Sequence, residues 1–251
     1  MAERADTGKS RTTTWLVPAI IIAAAIVLIG AILVINRDSG SGPDAGDSAA
    51  GAQVGPEALS QEPAQPDLTV VETRDETDPL AVGPVDAPVG LVIFSDYQCP
   101  YCAKWSTETL PIMMEHAESG DLRIEWRDLT LFGPASERAS RAAYAAALQG
   151  EDAFLDYHHA LFANGENRSE EQLSDEALIA LAEEVGLDTE AFTADFASPE
   201  TEQVVADNAQ LGLDLGAYST PAFLLGGQPI MGAQPAEVFV NTLESALADK
   251  E

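Results

Sequence analysis

Positive charge is scarce in this chain. Twelve lysines and arginines, only three of them lysines, stand against 42 acidic residues, for a formal net charge of −30. Such a chain repels phosphate backbones and anionic headgroups, which argues against nucleic-acid binding. The acidity reads as a solvated surface, with steering of cationic partners as the alternative. Histidine is scarce too. His116, His158 and His159 are the only three, and none has ligand spacing to a cysteine. With two cysteines in all, Cys99 and Cys102, the chain lacks the second pair that a zinc site requires. No metal is expected, and His158 and His159 read as ordinary surface or half-buried helix residues.

Charge is absent altogether from WLVPAIIIAAAIVLIGAILVI, residues 15–35. About twenty apolar residues suffice to cross a bilayer as a helix. Pro18 falls in the first turn, where proline is tolerated. Arg4, Lys9 and Arg11 precede the run and a strongly acidic stretch follows, so residues 1–14 are expected in the cytoplasm and the remainder outside. The run exceeds the ~7–15 apolar residues of a signal peptide and has no obvious small-residue cleavage site, so an uncleaved anchor is expected. No cysteine lies near it, which excludes lipoprotein processing. Residues 36–66 are rich in Gly, Ser, Ala, Pro and acid and show no apolar periodicity. They read as a flexible tether spanning roughly 30 Å root mean square. The folded domain is then 67–251.

Within it, VGLVIFS (89–95) reads as a buried strand. DYQCPYCAKWSTETLPIMMEHAESG reads as a helix from near Cys99 to Gly120, with a kink at Pro111. LRIEWRDL (122–129) alternates apolar and charged residues, which predicts a strand with one wet face. Strand, helix and strand at this spacing make a βαβ unit with a parallel pair. A helical block is expected over about 135–215, with starts at Ser174 and at Ser198-Pro199. TPAFLLGG and QPIMGA read as strands joined at Gly226-Gly227, a two-residue hairpin signal. A last helix, AEVFVNTLESAL, is expected to bury Val238, Leu243 and Leu247, with Phe239 nearby. The fold class is α/β, with helices on both faces of a small mixed sheet.

Both cysteines lie where the first strand gives way to a helix. A structural disulfide between residues three apart closes almost no loop, so it would contribute little stability. A redox couple uses the placement directly. Free N–H groups and the positive dipole end at a helix start favour a thiolate at Cys99. A stabilised thiolate favours the reduced state, so the oxidised pair passes its disulfide on. Cys102, one turn into the helix, is expected to be buried, protonated and resolving. Pro100 tightens the turn, and Tyr101 lies beside the sulfurs and tunes them.

DPLAVGPVDAPVGLVIFSDYQCPYC, residues 78–102, resembles the DsbA-like thioredoxin-fold oxidoreductases, especially the membrane-tethered bacterial type. The resemblance extends over the whole domain and implies a thioredoxin fold with the helical block inserted. Thr220-Pro221 in AYSTPAFLLGGQPIMGA matches the segment carrying that family's cis-proline loop. The resemblance implies that this loop faces the cysteines and pairs with substrate backbone, with Thr220 touching the sulfurs. One departure stands out: the buried acid that the family places six residues before the first cysteine is Ile93 here. Asp96, more naturally a turn residue, and Glu125 are candidate replacements.

The implied function is oxidation of cysteines in exported proteins outside the membrane, with a quinone-linked membrane partner and no cofactor in the domain. CPYC also suits a reductase or isomerase of the same fold, and a binding protein with a vestigial pair is the third reading.

Overall fold

The computed structural model describes residues 67–162 and 165–250. The expected anchor and tether lie outside the described residues. Among the described residues no helix is long and apolar enough to cross a membrane.

Five strands form one mixed sheet: β1 (Ala81–Val82), β2 (Val89–Phe94), β3 (Leu122–Trp126), β4 (Ala222–Leu225) and β5 (Gln228–Met231), in the order β1-β3-β2-β4-β5. β2 and β3 run parallel, and every other pairing is antiparallel. β2 is buried at all six positions, as a continuous apolar run requires of a strand covered on both faces. The β4–β5 hairpin turns at Gly226 and Gly227, whose φ values of 57° and 76° lie where glycine is at ease.

The single helix expected after Cys99 is two: α1 (Pro100–Glu108) and α2 (Leu110–Ser119). Pro111 has no N–H for the carbonyl of Thr107 and its ring crowds that carbonyl, so the ladder breaks at Thr109 rather than bending. Gly120, at φ 90°, ends α2.

The helical block falls where the sequence places it: α3 (Pro134–Ala147), α4 (Glu151–Leu161), α5 (Asp175–Glu184), α6 (Thr189–Phe196) and α7 (Pro199–Asp214). Ser174 and Ser198 accept from the backbone N–H of Ala177 and Thr201, and Asp188 caps α6 in the same way. Each cap contributes about 1 kcal/mol. The alanine-rich α3 sits centrally in the block, its small side chains letting α4, α6 and α7 approach closely. The closing helix α8 (Ala236–Ala248) buries Phe239 and Leu243. Val238, expected inside, is 38% exposed, and Leu247 is only partly buried. Phe239 and Leu243, four apart, define the buried stripe, and Val238 falls one position off it.

β3 departs furthest from expectation. It ends at Trp126, and all five of its residues are buried. The expected wet face is covered by residues 72–80. Glu125 accepts from the N–H of Thr73 (3.0 Å) and Arg74 (3.1 Å) and pairs with Arg123 (3.1 Å) and Arg127 (3.0 Å). Arg127 also pairs with Asp78. Charges that read as solvated satisfy one another under that strap, the condition for burying them.

The sheet separates two apolar clusters. One holds Leu91, Ile93, Ile124 and Trp126 with both cysteines and much of the helical block. The other holds Val92, Phe94, Leu129, Ala222 and Leu224, with Leu211 of α7 packed against it.

Candidate redox site

The turn between β2 and α1 is built by Asp96. Its carboxylate accepts from the N–H of Gln98 (2.9 Å) and Leu131 (2.8 Å) and from the Ser136 hydroxyl (2.7 Å). Its carbonyl accepts from the N–H of Cys99 (3.0 Å). Cys99 is the N-cap of α1, at φ −84° and ψ 118°, and Pro100 occupies the first helical position. The Cys99 carbonyl accepts from the N–H groups of Cys102 and Ala103, both at 3.1 Å. Asp96 is thus a loop-building residue whose oxygens are committed to the turn.

Cys99 and Cys102 are both thiols and both buried. The Cys99 thiol is lowered to about 6, chiefly by a hydrogen bond from the Cys102 thiol. Burial opposes the shift, while the Thr220 hydroxyl and the N–H groups of Cys102 and Tyr101 support it. Cys102 moves the other way, far above a normal thiol, through burial and the same bond to Cys99. One sulfur is therefore an anion at neutral pH and its neighbour a thiol.

Thr220 lies two residues before β4. The Thr220–Pro221 bond is cis. In the thiol form Cys99 donates to the Thr220 carbonyl at 3.3 Å. Thr220 Oγ1 is buried and has no hydrogen-bond partner, so it is free to donate to the sulfur once Cys99 ionises. Tyr101 does not cover the sulfurs: the residue is 64% exposed, and its backbone N–H favours the Cys99 thiolate. A family model for the DSBA-like thioredoxin domain matches residues 90–244.

The chain belongs to the DsbA-like thioredoxin family. It is a thiol-disulfide oxidoreductase with a thioredoxin-like fold and a helical insert between β3 and β4. A probable disulfide bond formation protein D from Bacillus cereus is 25% identical over 150 residues, 59% of this chain and 69% of that protein. A Na(+)/H(+) antiporter NhaA from Herminiimonas arsenicoxydans is 34% identical over 164 residues, 65% of this chain. The chain spans only 25% of that antiporter's length. The crystal structure of the thiol-disulfide exchange protein alpha-DsbA2 from Wolbachia pipientis shares the fold, with a TM-score of 0.61 at 23% identity, over 71% of this chain and 93% of that one.

Of the two candidates for the missing acid of this DsbA-like protein, Asp96 is the turn residue it more naturally reads as, and Glu125 is turned away from the cysteines. Ile93 is buried opposite Trp126. Glu125 alternates with Trp126 and so points to the other face of the sheet, away from the cysteines. Its carboxylate is held below its normal range: burial opposes ionisation, but the Thr73 N–H and the Arg127 charge outweigh it.

Three buried polar residues behind the cysteines escape the sequence reading. His158 is fully enclosed, not half-buried, against Trp126, Phe154 and Phe162. Its Nδ1 lies 3.0 Å from the Tyr97 hydroxyl and its Nε2 3.3 Å from the Ser106 hydroxyl. Those partners flank the cysteine pair on its two sides. Burial lowers the imidazole to about 3, so it stays neutral. Its position was legible: Phe154, Tyr157, His158 and Leu161 follow the i, i+3, i+4, i+7 stripe of a buried helix face. Ser95 and Asp128 carry no such signal, because they lie just past the ends of their strands.

Proposed function

We propose that the chain oxidises cysteine pairs in exported proteins outside the membrane. Cys99 is the sulfur that substrate attacks, and Cys102 is the leaving and resolving sulfur. The observation that carries this is the placement of the pair: Cys99 is the N-cap of α1 and lies against Thr220, which favours its thiolate, while Cys102 is buried one turn into the helix. Stabilising the reduced state makes the disulfide a stronger oxidant. Pro100 and the Tyr101 N–H tune that sulfur, while Thr220 and Pro221 present a backbone edge to the substrate chain.

In this reading residues 15–35 anchor the protein, residues 36–66 tether it, and residues 67–251 act on passing substrates. The couple carries two electrons itself, so the domain requires no cofactor. A quinone-linked membrane partner restores the disulfide.

The reduction potential of the Cys99–Cys102 couple tests the direction. A value well above the ~−270 mV of thioredoxin, toward the ~−120 mV of strong oxidants, is expected. Thiol trapping in growing cells should then find the pair oxidised. A value near thioredoxin's, with the pair trapped as thiols, would replace oxidation by reduction or isomerisation.

A further inference from the structure

Cys102 needs a proton carrier. When a substrate thiolate bonds to the Cys99 sulfur, the Cys99–Cys102 bond breaks and its electron pair leaves on Cys102. Burial makes that anion unstable, so it takes a proton. In the reverse step the Cys102 thiol must give the proton up before its sulfur attacks.

The sheet places a carboxyl there. The parallel ladder pairs Ile93 with Trp126. It continues past the strand ends through Arg127 N–H to Ile93 carbonyl (2.8 Å) and Leu129 N–H to Ser95 carbonyl (2.6 Å). Ser95 is therefore beside Asp128. By alternation both side chains share the face of Ile93 and Trp126, the cysteine face, while Phe94 and Leu129 point to the other cluster. The Ser95 hydroxyl favours the ionised form of the Cys102 sulfur, against the burial that disfavours it. Asp128 is 4% exposed, and its Oδ1 has no hydrogen-bond partner. A buried carboxyl oxygen without a hydrogen bond is costly, and the Ser140 hydroxyl that faces it offsets that cost only in part.

We propose that Asp128 is the proton carrier for Cys102, acting through the Ser95 hydroxyl. In the oxidising direction Asp128 gives its proton to Ser95 as Ser95 gives one to the Cys102 anion. The second substrate thiolate then attacks the substrate sulfur bonded to Cys99, and Cys99 leaves as its stable thiolate. Two electrons pass from the substrate pair to the cysteine pair, and Asp128 regains its proton from solvent. The reverse direction runs the same transfers backward. Asp128 is suited to both, because burial, and after it the Asp96 charge, raise it to about 7. The other groups facing it are the Ser140 hydroxyl of α3, the Arg127 charge on its own strand segment, and the buried Tyr97 phenol. The guanidinium of Arg127 is engaged with Asp78 and Glu125.

This inference rests on Cys102 being the resolving sulfur. The test is rapid-mixing exchange between the oxidised full chain and a small dithiol from pH 5 to 9, with the Cys99 thiolate titrated separately. Wild type should show a rate inflection near 7 beyond that of Cys99. Asp128→Asn should lose it and slow exchange by about 10- to 100-fold, the modest end of positioned acid–base effects. Asp128→Glu should restore an inflection, and the Cys99 titration should stay in place. Asp128→Asn removes a buried ionisable group, so folding should hold. If it does not, Ser95→Ala interrupts the same path and should lose the same inflection. Unchanged profiles in Asp128→Asn, or in Ser95→Ala where it must stand in, overturn the proposal. A wild-type protein that exchanges no disulfide overturns the redox reading itself.

Discussion

The Cys99 sulfur lies 3.3 Å from the carbonyl oxygen of Thr220, a residue 121 positions further along the chain. The parallel β2–β3 pair and the antiparallel β2–β4 pair bring the two together, since β2 leads into the Cys99 turn and β4 begins two residues after Thr220. The reactive sulfur is thus set by a helix start on one side and by a distant loop on the other.

The first consequence concerns acid titration. Thiolate absorbance of the reduced protein should rise with a midpoint near 6, against 9.0 for an unperturbed thiol. Because the folded value is depressed, the associated stability is present above the unfolded value and is lost as pH falls toward 6. Denaturant unfolding of the reduced protein should therefore show stability increasing from pH 6 to 9, and the oxidised protein should lack that slope. Equal slopes in both redox states would remove the thiolate from the account.

Thr220→Val keeps the shape and removes the hydroxyl that serves the ionised sulfur. A hydrogen bond to a charged group is worth about 1.5–3 kcal/mol, or about 1–2 pH units in the Cys99 midpoint. The midpoint should rise by that amount and the couple should become less oxidising. An unmoved midpoint would show that the Cys102 thiol and the helix start hold the thiolate without Thr220.

His158→Phe leaves the buried Tyr97 hydroxyl without its partner. The expected destabilisation is about 1–3 kcal/mol, the penalty for one unsatisfied buried polar group. The wild-type imidazole is held at about 3 in the folded state and charges near its ordinary value of 6.5 when unfolded. Wild type should lose stability as pH falls from 6.5 toward 3, and the variant should lose less of it. Identical acid limbs would place the acid sensitivity elsewhere.

Glu125→Gln separates stability from redox chemistry. Removing the anion between Arg123 and Arg127 leaves buried charge uncompensated, which costs about 3–5 kcal/mol. Chemical denaturation should register that loss, while the reduction potential stays at the wild-type value because Glu125 faces away from the cysteines. A shifted potential would restore Glu125 to the site.

Much of the architecture follows from short-range chemistry and could be read directly. Ser174, Ser198 and Gly120 cap the helices they were expected to cap, and Gly226-Gly227 makes the expected hairpin. Cys99 begins a helix because Pro100 and the preceding turn leave the chain little alternative. Where the reading failed, a segment distant in sequence supplied the partner. The charged face of β3 is dry because residues 72–80 cover it, and His158 is enclosed because β3 and the Tyr97 turn close over α4.

The sequence by itself determined where the cysteine pair sits, how its helix begins, and the order of the elements around it apart from β1 and the break at Thr109. Those depend on interactions within a few residues. Only the tertiary structure decided the environment of the sulfurs: Thr220 against Cys99, Ser95 against Cys102, and Asp128 unpartnered behind them. The desolvation and charge that set a buried group's proton affinity come from whatever the fold packs against it, and no local pattern encodes that neighbour.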